Sequence, residues 1–193
     1  MVKKVPDVLK MMAEQLAAKE KAGAGDLPSE MVDVVDADDR VLKQMERSAA
    51  ERGNVRLRGV QVFIENADGE FLVQWRRHDK VISPRTFTAS AAGMVSAGED
   101  YAECAARELA EELGIDVKVK EIGAYQTHEG RLVNGRAYVG RWDGEVSGWE
   151  DEADALDMWG VDEAAFMLAR FPYLLSPTFR ESLKIYLQWK DEQ

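Results

Sequence analysis

Three acids, Glu108, Glu111 and Glu112, follow Arg107 in the segment GMVSAGEDYAECAARELAEELGI, residues 93–115, and Glu99 stands eight residues before that arginine. On a helix, at about 100° per residue, Arg107, Glu108, Glu111 and Glu112 fall within about 140° of one face. Like charges at this spacing repel, each pair costing roughly 0.2–0.5 kcal/mol. Such a stack suits a hard cation. Three carboxylates on one rigid face offer oxygen ligands to Mg²⁺ or Mn²⁺ and leave coordination positions for water and substrate. Glutamate-rich helices also serve as plain solvated faces, and the acids by themselves leave both readings open.

The flanking residues are those that would position such a helix. Gly93 at a strand end and Gly98 before the helix allow a tight loop with close backbone approach. Glu99 and Asp100 fall at the helix start, where carboxylates meet the positive end of the dipole. Ala102, Ala106, Leu109 and Leu113 form the expected packing face, and Gly114 closes the helix in the left-handed conformation.

Around this helix the chain reads as alternating strands and helices. Residues 5–21 pattern as an amphipathic helix, with Val5, Val8, Leu9, Met12 and Leu16 on one stripe, and AGAGDLPS at 22–29 reads as a linker. Strands are expected at 31–35, 41–45, 58–65, 71–76, 86–91, 117–127, 136–142 and 156–161. A hairpin turn is expected at 66–69, and a turn at Asn134-Gly135 or a longer loop before 136. Asp162 is expected to cap a helix reaching Arg170, and Pro177 to start a last helix ending near Trp189. This order predicts the α/β class: an α/β/α sandwich with a mixed β-sheet, plus an N-terminal helical arm. The arm would occupy residues 1–29 and the domain residues 30–193; the arm suits a dimer clasp, a lid, or a helix docked on its own domain.

The spacing in full is Gly93, five residues, Glu99, seven residues, Arg107-Glu108-Leu109, one residue, Glu111-Glu112, one residue, Gly114-Ile115. Every fixed position of the Nudix box is filled, and the segment resembles the Nudix hydrolase family. The resemblance implies that Glu108, Glu111, Glu112 and the carbonyl of Gly93 hold a divalent metal. It also implies that Glu99 and Arg107 brace the loop to the helix by an ion pair. The order of elements around the box is similar to the branch containing isopentenyl-diphosphate isomerase. That enzyme uses a cysteine before the box glycine and a histidine after it; here those positions are Ala92 and Met94.

Further site residues lie outside the box. Arg76, Lys80 and Arg85 follow the expected hairpin and offer a clamp for phosphate oxygens. Family members often place one more acid before the strand that carries Trp159; Glu152 is favoured for it, with Asp154 as the neighbouring choice. Trp75, Tyr125 and Trp149 could stack on a planar group, although each also suits a core position. His78 and His128 lack a ligand-like spacing. Cys104, on the acidic arc, reads as a small packing residue rather than a reactive thiol.

Composition bounds the class. The chain has 193 residues, 46% hydrophobic and 32% charged, which suits one soluble domain with a substantial core. Its net charge of −11 argues against bulk nucleic acid as a partner while allowing a small anionic substrate at a metal. No stretch reaches a membrane-spanning length, no leader peptide is evident, and the single cysteine fits a reducing, cytoplasmic compartment. The expected function is metal-dependent hydrolysis of a diphosphate linkage, generally a nucleoside diphosphate joined to a group X. The catalytic set would be Glu111, Glu112, Glu152, Arg107 and Glu99. The alternatives are an isomerase-like protein and a non-catalytic nucleotide-sensing domain; a homodimer is compatible with all three.

Overall fold

The computed structural model of the chain describes Lys10 and residues 29–193 apart from Glu129. The expected helix at 5–21 and linker at 22–29 lie, except for Lys10 and Ser29, outside the described residues.

Strand β1 (Met31–Val35) pairs antiparallel with β2 (Val41–Glu46) in a two-stranded sheet. Asp36 sets the turn between them, because its carboxylate accepts the N–H groups of Asp38 and Arg40, each at 2.9 Å. A short helix α1 (Arg47–Arg52), which carries no strong periodic signal, follows. The main sheet has seven strands: β3 (Leu57–Glu65), β4 (Phe71–Arg76), β5 (Phe87–Thr88), β6 (Ala91–Met94), β7 (Lys120–Gln126), β8 (Val133–Arg141) and β9 (Ala153–Trp159). Its path runs β5-β4-β3-β8-β7, with β6 on β3 and β9 on β4. β3 and β8 run parallel and the other pairs antiparallel, so the sheet is mixed. Helices α2 (Tyr101–Leu113), α3 (Val161–Arg170) and α4 (Pro177–Asp191) cover it.

The expected sandwich follows from the alternation in β3. Val60, Val62 and Ile64 pack with Leu109 and Leu113 of α2. Phe63 points the other way and stacks on Tyr186 of α4, ring centroids 4.6 Å apart. Both faces of β3 are buried, which suits a sheet covered on both sides, and each large apolar side chain fully buried there contributes roughly 1.5–3 kcal/mol.

Three details differ from the sequence expectation. The strand expected at 86–91 is two strands: β5 pairs with β4, and β6 crosses to pair with β3. Asn134 and Gly135 lie inside β8, not in a turn, and the connection runs through 127–132. Gly135 is needed there because a Cβ would stand 2.0 Å from the Tyr125 ring. Asp162 sits in the first turn of α3, and Gly160 holds the N-cap position without a side-chain bond.

Candidate active site

The site is built around α2. Asp100 caps it through a capping box: its carboxylate accepts from Ala102 and Glu103 N–H, and Glu103 reaches back to Asp100 N–H. Gly114 ends it at φ 65°, as the spacing predicted. The inward face is shifted from the expected one. Ala102 and Ala106 are exposed, while Cys104, Ala105, Glu108, Leu109, Glu112 and Leu113 are buried. The shift turns the buried arc toward the acids and carries Glu108 and Glu112 beneath β6. Cys104 is fully buried, and burial pushes its thiol pKa up, which agrees with a packing role.

Arg107 joins the helix to the loop before it. Its Nε and Nη2 donate to Glu99 at 2.8 and 3.0 Å, and Nη2 also reaches the Met94 carbonyl at 3.2 Å. Nη1 donates to Glu108 at 2.8 Å and Glu111 at 3.2 Å. Glu99 also accepts from Ser96 N–H at 2.9 Å. Burial works against the charge of Glu99, but Arg107 and Ser96 outweigh it and hold the carboxyl below its usual range.

Gly93 lies directly under Glu108: a Cβ there would stand 1.8 Å from Glu108 Oε1. Burial raises the pKa of Glu108 against the opposing pull of Arg107. Glu112 is shifted further. Burial pushes it well above the usual carboxylate range, and Glu108 and Glu152 add to the push. Gln74 Nε2 donates to Glu112 Oε2 at 2.8 Å, and Ala92 N–H reaches the same oxygen at 3.4 Å.

A cleft of about 550 Å³ opens beside these groups and is lined by Gly93, Glu108, Glu112, Glu152, Arg76 and Lys80. Arg76 donates to the Ile82 carbonyl at 3.1 Å. Burial lowers its pKa against the pull of Glu112 and Glu152, and a guanidinium stays charged at neutral pH regardless. Lys80 Nζ pairs with Glu152 at 2.7 Å. The other expected residues fall elsewhere. Glu111 does not line the cleft; its side chain is 59% exposed and turns to Arg107. Arg85 pairs with Asp154 at 2.9 Å, and neither lines the cleft. Trp75 is buried against Phe87, Trp149 packs on the α2 side, and Tyr125 borders the cleft.

Sequence reasoning missed Gln74, Arg47 and Arg131. Gln74 shares the α2-facing side of β4 with Leu72, and an amide in the otherwise apolar run FLVQW was the available signal. Arg47 and Arg131 also line the cleft, from α1 and the β7–β8 connection, and pair with Glu30 and Glu51. Nothing local in the sequence marks them.

Among the described residues, no three Asp, Glu, His or Cys side chains are gathered into a finished coordination set. The donor chemistry nevertheless fits a hard cation. Both carboxyls are raised by burial, Glu108 and Glu152 push Glu112 up further, and a divalent ion is the group that relieves such repulsion.

Residues 55–179 match the profile of the NUDIX domain family, and the chain belongs to that family. It is 40% identical over 98 residues to an uncharacterized Nudix hydrolase of Pseudomonas aeruginosa, covering 50% of this chain and 58% of that one. The chain spans about half the length of the first curated relatives it matches. It is 26% identical over 161 residues to the isopentenyl-diphosphate Delta-isomerase of Serratia proteamaculans, covering 80% of this chain and 90% of that one. In fold it is similar to a crystal structure from Deinococcus radiodurans, with TM-score 0.68 and 23% identity, covering 80% of this chain and 98% of that one.

Proposed function

We propose that this protein hydrolyses a diphosphate linkage in a small molecule of the nucleoside diphosphate-X type, with Mg²⁺ or Mn²⁺. The observation that carries the reading is the pair of buried carboxylates, Glu108 and Glu112, in one cleft with Glu152 and Arg76. Pure ligand binding does not need acids held at that electrostatic cost.

Glu108, Glu112 and the Gly93 carbonyl would hold the metal, and Glu111 would join them on turning from Arg107 toward the cleft. When bound, it neutralises phosphate charge and lowers the pKa of a water. Glu99 and Arg107 keep the loop and helix in register, so Gly93 stays against Glu108. Arg76 takes a phosphate oxygen from the far wall, Lys80 lies beside it, and Arg85 supports the same loop from behind. Glu152 accepts the proton from the attacking water once Lys80 releases it. A small anionic substrate agrees with a cleft that mixes acids with arginines. A cytoplasmic setting and a homodimer complete the reading. The single buried cysteine favours the reducing compartment.

The isomerase reading is disfavoured at the same place. Ala92 and Met94 line the cleft where a thiol and an imidazole would be needed, and Cys104 is buried away from it.

The test is release of phosphate and nucleotide from a broad panel of diphosphate compounds, run beside Glu111→Gln and Glu112→Gln. Turnover of one compound class, reduced at least about a hundredfold in both variants, is expected. Ligand binding without turnover, unchanged in both variants, would leave a binding domain in place of an enzyme.

A further inference from the structure

We infer that Gln74 is a positioning residue that fixes Glu112 so that one carboxylate oxygen remains for a metal. The inference rests on the proposed role of Glu112.

β3 and β4 share a single pair, Glu65 with Phe71, and then part. Ser90 fills the opening: its hydroxyl donates to the Leu72 carbonyl at 2.6 Å and accepts from Ile64 N–H at 2.8 Å. Gln74, fully buried, sits in the same gap. Its Nε2 donates to the Ser90 carbonyl at 2.7 Å and to Glu112 Oε2 at 2.8 Å. Both partners are acceptors, so the amide nitrogen must face them. The cost is visible on its other side, where Oε1 is buried without a partner. An orphaned buried carbonyl costs about 1–3 kcal/mol. A Leu or Met would remove that orphan but leave the Ser90 carbonyl and Glu112 Oε2 without this donor, so the amide serves the strand gap and Glu112 together.

The consequence for Glu112 is directional. Oε2 is taken by Gln74 and Ala92 N–H, while no hydrogen bond engages Oε1 among the described residues. A buried carboxylate beside Glu108 and Glu152 would otherwise rotate to reduce repulsion. The amide removes that freedom and holds the carboxylate as a one-oxygen donor to the cleft. Such outer partners of metal ligands typically change affinity by about 10–100-fold when lost.

The test is Mn²⁺ binding to the full chain, followed by electron paramagnetic resonance, with thermal melts in parallel. Gln74→Met keeps length and removes the donor; it should weaken Mn²⁺ binding at least about tenfold, with the melting temperature changed little because loss of the orphaned Oε1 offsets loss of the Ser90 contact. Ser90→Ala, which breaks the strand bridge only, should lower the melting temperature and leave Mn²⁺ affinity within about twofold of the parent. If Gln74→Met does not fold, Gln74→Asn, too short to reach Glu112, is expected to show the same loss. Mn²⁺ affinity unchanged in a folded Gln74 variant, while Glu112→Gln loses it, would overturn the inference alone. Affinity unchanged in Glu112→Gln would overturn the metal role of Glu112 and the inference with it.

Discussion

Glu112 shows how the fold holds a carboxyl at an electrostatic cost. Its folded-state pKa is raised by burial, then by Glu108 and Glu152. A carboxyl raised this way gives stability that is fully present below its unfolded pKa of about 4.3 and is lost as pH rises through the folded value. In EDTA, the parent should therefore melt progressively lower as pH climbs from about 4.5 toward neutrality. Glu112→Gln, neutral throughout, should show a flatter profile and exceed the parent near pH 7; scanning fluorimetry across that range checks it. A profile identical in parent and variant would mean that Glu112 carries no such cost. Gly93 makes the complementary point sterically. Gly93→Ala would force Glu108 out of its position by the 1.8 Å clash. Mn²⁺ affinity should fall at least about tenfold while the chain stays folded, as titration and circular dichroism would show.

The elements explain how those residues are held. α2 is fixed at its start by the Asp100 capping box, so Asp100→Ala should cost about 1 kcal/mol, read from urea unfolding. α4 is fixed differently. Glu65, buried at the end of β3, accepts from Tyr186 Oη at 2.7 Å and Lys190 Nζ at 3.0 Å. Tyr186→Phe leaves that carboxylate short of a donor and should destabilise by about 1–3 kcal/mol, while Mn²⁺ affinity stays as in the parent. Most elements were legible, because alternation in β3 and the capped, glycine-closed pattern of α2 are local signals. The division of β5 from β6 was not, because residues 86–91 carry one continuous pattern and only the parting of β3 from β4 splits it. The Asn134-Gly135 pair looked like a turn for the same reason. Its glycine answers to the Tyr125 ring, a contact from the neighbouring strand.

For the whole molecule, the sheet brings together segments far apart in the chain: β4 with Gln74 and Arg76, α2 with Glu108 and Glu112, and the approach to β9 with Glu152. The same assembly separates residues that sequence spacing had grouped, since Glu111 and Arg85 lie away from the cleft. The likeness to an isopentenyl-diphosphate isomerase covers most of the chain, yet Ala92 and Met94 stand where that enzyme's cysteine and histidine are expected. Incubation with isopentenyl diphosphate should yield no isomer above the uncatalysed level, whereas a nucleoside diphosphate-X compound should be cleaved in the same buffer. Isomer formation lost in Glu112→Gln would reverse the assignment.

The family, the acidic helix and its caps were legible in the sequence by itself because each depends on residues within one segment. The α/β class followed from the alternation of strand and helix patterns along the chain, and the Glu99–Arg107 pair from the resemblance of that segment to the family. Tertiary structure decided which acids face the cleft, that Arg76 and Lys80 accompany them, and how Glu112 is oriented. Those outcomes depend on the rotation of α2 and on the gap between β3 and β4. Both are set by packing among segments that sequence spacing cannot relate.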